Sequence, residues 1–106
     1  MKIEVLCVPD CPNYLPAVSM VKDVLREQGL SQEIDQIEVS SSGQAAALSF
    51  LGSPTIRVNG KDVEPSLQAH DSFGVSCRTY FVDGRLQGLP RREWIRDAIV
   101  SAGLKG

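Results

Sequence analysis

A chain of 106 residues, 42% of them hydrophobic, is the size of one compact domain, residues 1–106, and can close a core without disulfide staples. Eleven Lys and Arg against thirteen Asp and Glu give a net charge of -2 with no basic block, which excludes a surface built for nucleic acid or anionic membrane. The opening MKIEVL carries Glu4 inside its apolar run and reaches no small-residue cleavage site, and no apolar run of about 18 residues follows, so a cytoplasmic chain with no membrane partner is expected.

Residues 2–7 are short, apolar and β-branched ahead of Pro9, and predict a buried strand. Over residues 13–28, Tyr14, Ala17, Val18, Val21, Val24 and Leu25 recur at steps of three and four, the pattern of an amphipathic helix, which Gly29 stops. Pro16 is anomalous there and predicts a late start or a kink. Residues 33–39 predict a second strand, and residues 44–51 a short helix capped by Ser40 to Ser42 and ended by Gly52. SPTIRV reads as a third strand, and Asn59-Gly60 as a hairpin turn into a fourth, residues 61–64. Pro90 suits the first position of a last helix, with Ile95, Ala98, Ile99 and Ala102 as its stripe, Trp94 beside it and Gly103 at its close. This order predicts an α/β fold: a mixed four-stranded sheet with helices on both faces. Residues 65–89 are an insert before the last helix, in which CRTYFV and Asp83-Gly84 predict a second small hairpin.

Three cysteines without an export signal argue against a disulfide framework and for reduced thiols that react or simply pack. Cys11 lies where the first helix begins, and helix N-termini favour a thiolate; Asp10 beside it opposes one. Cys7, four residues earlier, meets Cys11 only if the chain turns between them, and Val8-Pro9-Asp10-Cys11 reads as a type I turn that allows it. The alternative is Cys7 as a small apolar strand residue. Cys77 either reaches Cys11 from the insert or packs in its hairpin. His70, the only histidine, has no partner pattern and reads as solvated. Arg57 and Arg78 are weak candidates for an anionic thiol substrate, and Tyr14 and Trp94 read as packing.

The element order, a cysteine between the first strand and helix, and a Ser-Pro-Thr opening the third strand together resemble the thioredoxin-like superfamily, glutaredoxins and short bacterial members above all. The resemblance covers residues 1–64 and 89–103 by order and spacing, and not the insert. It places the family's Cys-Pro-x-Cys motif on Cys11-Pro12-Asn13-Tyr14, with Tyr14 where the second thiol would be. It implies a cis bond at Pro54 and a substrate held by Pro12, Ser53, Pro54 and Thr55, with the backbone of Ser53 offered to it.

Three functions stay open. The first is a thiol-disulfide oxidoreductase acting through Cys11, with Cys7 or Cys77 as resolving thiol, a protein or small-molecule thiol or disulfide as substrate, and no cofactor required beyond a thiol such as glutathione. The second is binding of a soft metal or metalloid ion (arsenite, mercuric ion, copper(I) or zinc) by Cys7, Cys11 and Cys77. The third is a non-catalytic interaction module of the same fold.

Overall fold

The computed structural model describes residues 1–64 and 78–104. Their elements are β1 (Ile3–Cys7), α1 (Tyr14–Glu27), β2 (Ile34–Glu38), α2 (Ser42–Ala47), β3 (Thr55–Val58), β4 (Lys61–Asp62), β5 (Tyr80–Val82), β6 (Arg85–Gln87) and α3 (Arg92–Leu104). The first four strands form one mixed sheet in the order β2-β1-β3-β4. β1 runs parallel to β2, an arrangement that needs the α1 crossover, and antiparallel to β3, which turns tightly into β4. The β5–β6 hairpin is a separate two-stranded sheet.

Side-chain alternation along β1 divides the core into two layers. Ile3, Val5 and Cys7 face α1 and α3, packing with Val18, Val21, Ile56, Val58, Ile95 and Ile99. Leu6 points to the opposite face, where Val39, Ala45 and Phe50 cover it under α2. The sheet therefore carries helices on both faces.

Local chemistry accounts for the ends of the elements. α1 stops as predicted: Gly29 adopts φ 67, its N–H bonds the Arg26 carbonyl, and the Leu30 N–H reaches back to Leu25, a Schellman closure. Pro16 does not delay the start of the helix. It is the third residue of α1, where the backbone N–H it lacks would have had no helical partner. Asn59-Gly60 and Asp83-Gly84 both turn with positive φ at each residue, the hairpin geometry expected of them.

Several expected boundaries move; β4, for one, ends at Asp62, not at residue 64. α2 ends before Gly52, because Ser49 takes the left-handed position (φ 52) of a second Schellman closure, with Ser49 N–H on Ala46 and Phe50 N–H on Ala45. Gly52 serves another purpose: a Cβ there would lie 2.8 Å from the Cβ of Arg78. In the last helix, Pro90 precedes the first helical residue by two positions, and the helix runs through Gly103.

Phe50 is fully buried and Phe81 is 63% exposed, so the two phenylalanines make a matched test of the layer under α2. Phe50→Ala is expected to cost about 3–5 kcal/mol in urea unfolding, and Phe81→Ala less than about 0.5 kcal/mol.

Candidate functional site

β1 ends at Cys7 on the face that α1 covers, and the chain then turns back on itself. The Cys11 N–H bonds the Val8 carbonyl at 3.3 Å, closing the turn Val8-Pro9-Asp10-Cys11. Asp10 sits at φ 60, so this is a type II turn, not the type I expected from Pro9. A type II turn needs a left-handed residue in third place, which aspartate tolerates better than most. Tyr14 N–H then bonds the Cys11 carbonyl at 3.1 Å, and α1 begins with Asn13 as its cap residue. Cys11 thus stands two residues ahead of the cap, before a first turn that contains no acidic side chain.

The turn brings the two thiols together. Both are free and buried, Cys7 completely and Cys11 with 8% of its surface exposed. The Cys7 thiol is pushed up to about 11. Burial is the main cause, the Ser53 hydroxyl offsets part of it by hydrogen bonding, and the Cys11 thiol adds to it through charge repulsion and a hydrogen bond that holds Cys7 protonated. Tyr14, half-buried against the same core, has its hydroxyl pushed up as well, by burial first and then by the nearby negative charges of Cys7 and Glu38.

Opposite the thiols stands the loop before β3. The Ser53–Pro54 peptide is cis. Ser53 Oγ accepts the Val8 N–H at 3.0 Å, which ties this loop to the residue after Cys7 and leaves the hydroxyl proton free for the Cys7 sulfur. Ser53, Pro54 and Thr55 are all buried. The Ser53 carbonyl, expected to be open to a substrate, accepts the Arg78 N–H at 2.9 Å instead. Pro12, by contrast, is exposed beside Cys11.

Arg78 does not hold an anionic substrate. Its guanidinium is buried and bonded to both oxygens of Asp62 (2.6 and 3.1 Å), to Glu64 (2.8 Å) and to Thr55 Oγ1 (3.2 Å), with the Tyr80 ring 4.3 Å away. Arg57 bonds the Ser49 carbonyl. Trp94 packs with its ring centroid 6.5 Å from that of Tyr80. Cys77 and His70 lie outside the described residues. Among the described residues no three His, Cys, Asp or Glu side chains converge as a metal site. A cavity of about 540 Å³ between β3, β4 and α3, lined by Val58, Val63, Trp94 and Ala98 among others, includes neither thiol.

The cluster of Arg78, Asp62, Glu64 and Tyr80 was not legible as a unit beforehand. Asp62 ends a short strand and Glu64 lies just beyond it, like any surface pair, and nothing local marks the arginine that they meet across the insert.

Fold and site together define a small mixed α/β domain with a buried thiol pair at the mouth of its first helix. The chain belongs to the family described as Domain of unknown function (DUF2703), whose model matches residues 13–99. That span includes Ser53, Pro54 and the Arg78 cluster and opens two residues after Cys11. No curated protein and no solved structure matches the chain. No helix among the described residues is long and apolar enough to cross a membrane.

The raised Cys7 thiol makes stability pH-dependent with a definite sign. The folded chain holds this proton more tightly than the unfolded one, so the contribution is intact below the ordinary value of 9.0 and is lost as pH rises toward about 11. Urea unfolding between pH 8 and pH 11 is expected to show stability falling more steeply in the wild type than in Cys7→Ala; equal slopes would remove the assignment.

Proposed function

We propose that this chain is a thioredoxin-like, cytoplasmic thiol-disulfide oxidoreductase in which Cys11 attacks and Cys7 resolves. The sheet order β2-β1-β3-β4, with α1 leaving directly from the cysteine turn, supports the fold assignment. The observation that carries the function is the turn that returns Cys11 toward Cys7, with both thiols free and buried and Ser53 Oγ bonded to the Val8 amide beside them.

The Cys11 sulfur is the partly exposed one and lies two residues ahead of the cap of α1. Its attack on a substrate disulfide forms a Cys11–substrate mixed disulfide and expels the other substrate sulfur as a thiolate. Cys11 then carries no negative charge and no longer accepts a hydrogen bond from Cys7. Both influences by which Cys11 raises the Cys7 thiol disappear at this step, while the Ser53 hydroxyl still favours the Cys7 thiolate. Cys7 gives up its proton and attacks the Cys11 sulfur. A Cys7–Cys11 disulfide forms and the second substrate sulfur leaves, so the substrate gains two electrons and the protein loses two. Two equivalents of an external thiol, or one dithiol, restore the reduced pair.

A second reading rests on the same pair. Two thiols in an apolar, buried setting suit an uncharged adduct better than a charged one. Condensation of a trivalent organoarsenical with both thiols gives a neutral dithiolate and releases two waters, with no change of oxidation state. This two-thiolate adduct differs from the three-thiol site expected with Cys77.

Mild oxidation followed by peptide mass spectrometry separates the outcomes. The oxidoreductase reading expects a Cys7–Cys11 link in the wild type, a trapped Cys11 mixed disulfide in Cys7→Ser, and turnover of a model disulfide at the uncatalysed rate in Cys11→Ser. Absence of the link together with absence of turnover would sink it. Loss of both thiols on titration with one equivalent of phenylarsine oxide, in a protein that turns over no disulfide, would establish the second reading.

A further inference from the structure

Three consecutive carbonyls precede β3, and each has a partner. Thr55 Oγ1 donates to the Gly52 carbonyl at 2.6 Å, the Arg78 N–H to that of Ser53 at 2.9 Å, and the Tyr80 hydroxyl to that of Pro54 at 2.5 Å. Two of these partners come from one short stretch, in which Arg78 and Tyr80 are buried and Thr79 between them is exposed. The stretch is held in turn by Asp62 and Glu64, which grip the Arg78 guanidinium, and by that guanidinium stacked on the Tyr80 ring. Gly52 admits it, since a side chain there would collide with the backbone and Cβ of Arg78. On its other side the same loop presents Ser53 Oγ to the Val8 N–H, next to Cys7.

We propose that Arg78 and Tyr80 are positioning residues for the thiol pair: anchored by Asp62 and Glu64, they hold the Ser53–Pro54 loop so that Ser53 Oγ stays on the Val8 amide, beside Cys7. Neither residue touches a thiol; each acts through Ser53. The inference deepens the oxidoreductase reading and rests on it for its chemical consequence, while the positional part stands on the hydrogen bonds alone. Ser53 stands beside Cys7 in the reduced protein, so releasing the loop destabilises the reduced pair and shifts its equilibrium toward the disulfide.

The test compares wild type, Tyr80→Phe, which removes only the hydroxyl on Pro54, and Arg78→Lys, which keeps the charge but loses the two-pronged grip on Asp62. Amide exchange is followed by NMR in the reduced proteins, and the Cys7–Cys11 equilibrium is measured against glutathione. In Tyr80→Phe the Val8 amide is expected to exchange about fivefold faster or more, with Val21 and Ile99 unchanged, and the equilibrium to move about fivefold toward the disulfide. Arg78→Lys is expected to move both in the same direction. Val8 exchange at the wild-type rate in Tyr80→Phe overturns the proposal. So does faster Val8 exchange with an unchanged thiol equilibrium. A wild-type protein that forms no Cys7–Cys11 link at any glutathione ratio fails the oxidoreductase reading instead, and Val8 exchange then decides the positioning role by itself.

Discussion

One hydrogen bond joins the two halves of the thiol site: the Val8 amide donates to the Ser53 hydroxyl across 45 positions of sequence. Val8 is the hinge between β1 and the turn that returns Cys11 to Cys7, so its amide lies outside the β1–β3 ladder and needs a partner from elsewhere. The hydroxyl that satisfies it belongs to the residue before Pro54. A hydroxyl holds one proton and two lone pairs, and accepting from Val8 leaves the proton to be directed at sulfur. The strand end, the cysteine turn and the proline loop are thereby fixed with respect to one another by a single oxygen.

What keeps that oxygen in place is costly to bury. An arginine with two carboxylates in a nearly dry site must recover its desolvation through geometry, and here the guanidinium meets Asp62 with both prongs, Glu64 with one, and the Tyr80 face from above. Such a cluster is a poor means of gaining stability, since apolar side chains of equal volume often do as well. Its value lies in direction. Apolar packing would leave the Pro54 carbonyl without its donor, the Tyr80 hydroxyl, and would not fix the place of the residue 78 backbone N–H that the Ser53 carbonyl accepts.

Much of the frame was readable because it is locally determined. The alternation in β1, the stripe of α1, Gly29 and the two turns Asn59-Gly60 and Asp83-Gly84 each answer to residues within a few positions of themselves, and each took the form expected. The misreadings share a cause of the opposite kind. Gly52 looked like a helix stop because glycines often are, but the reason for a glycine there is the backbone of Arg78, 26 residues later. Arg78 looked like a surface cation because its carboxylates lie on β4 and just beyond it. The turn at Asp10 needed a positive φ that its sequence does not announce. For Cys7 both roles were written in the sequence: the residue is a buried strand end and also the neighbour of Cys11, and only the sense of the turn decides that these coincide.

That coincidence gives the pair its chemical asymmetry. A thiol placed wholly inside the core resists ionisation, and a second thiol beside it adds to that resistance for as long as it competes for the same negative charge. The two sulfurs differ in depth: Cys7 is completely buried, and Cys11 keeps 8% of its surface exposed. In the proposed reaction the inner sulfur keeps its proton until the outer one has entered a covalent bond. Ser53 tempers the barrier to the second event. In the proposed reaction, the order of the two thiol steps follows from depth of burial and one hydroxyl, which a four-residue turn and a distant arginine hold in register.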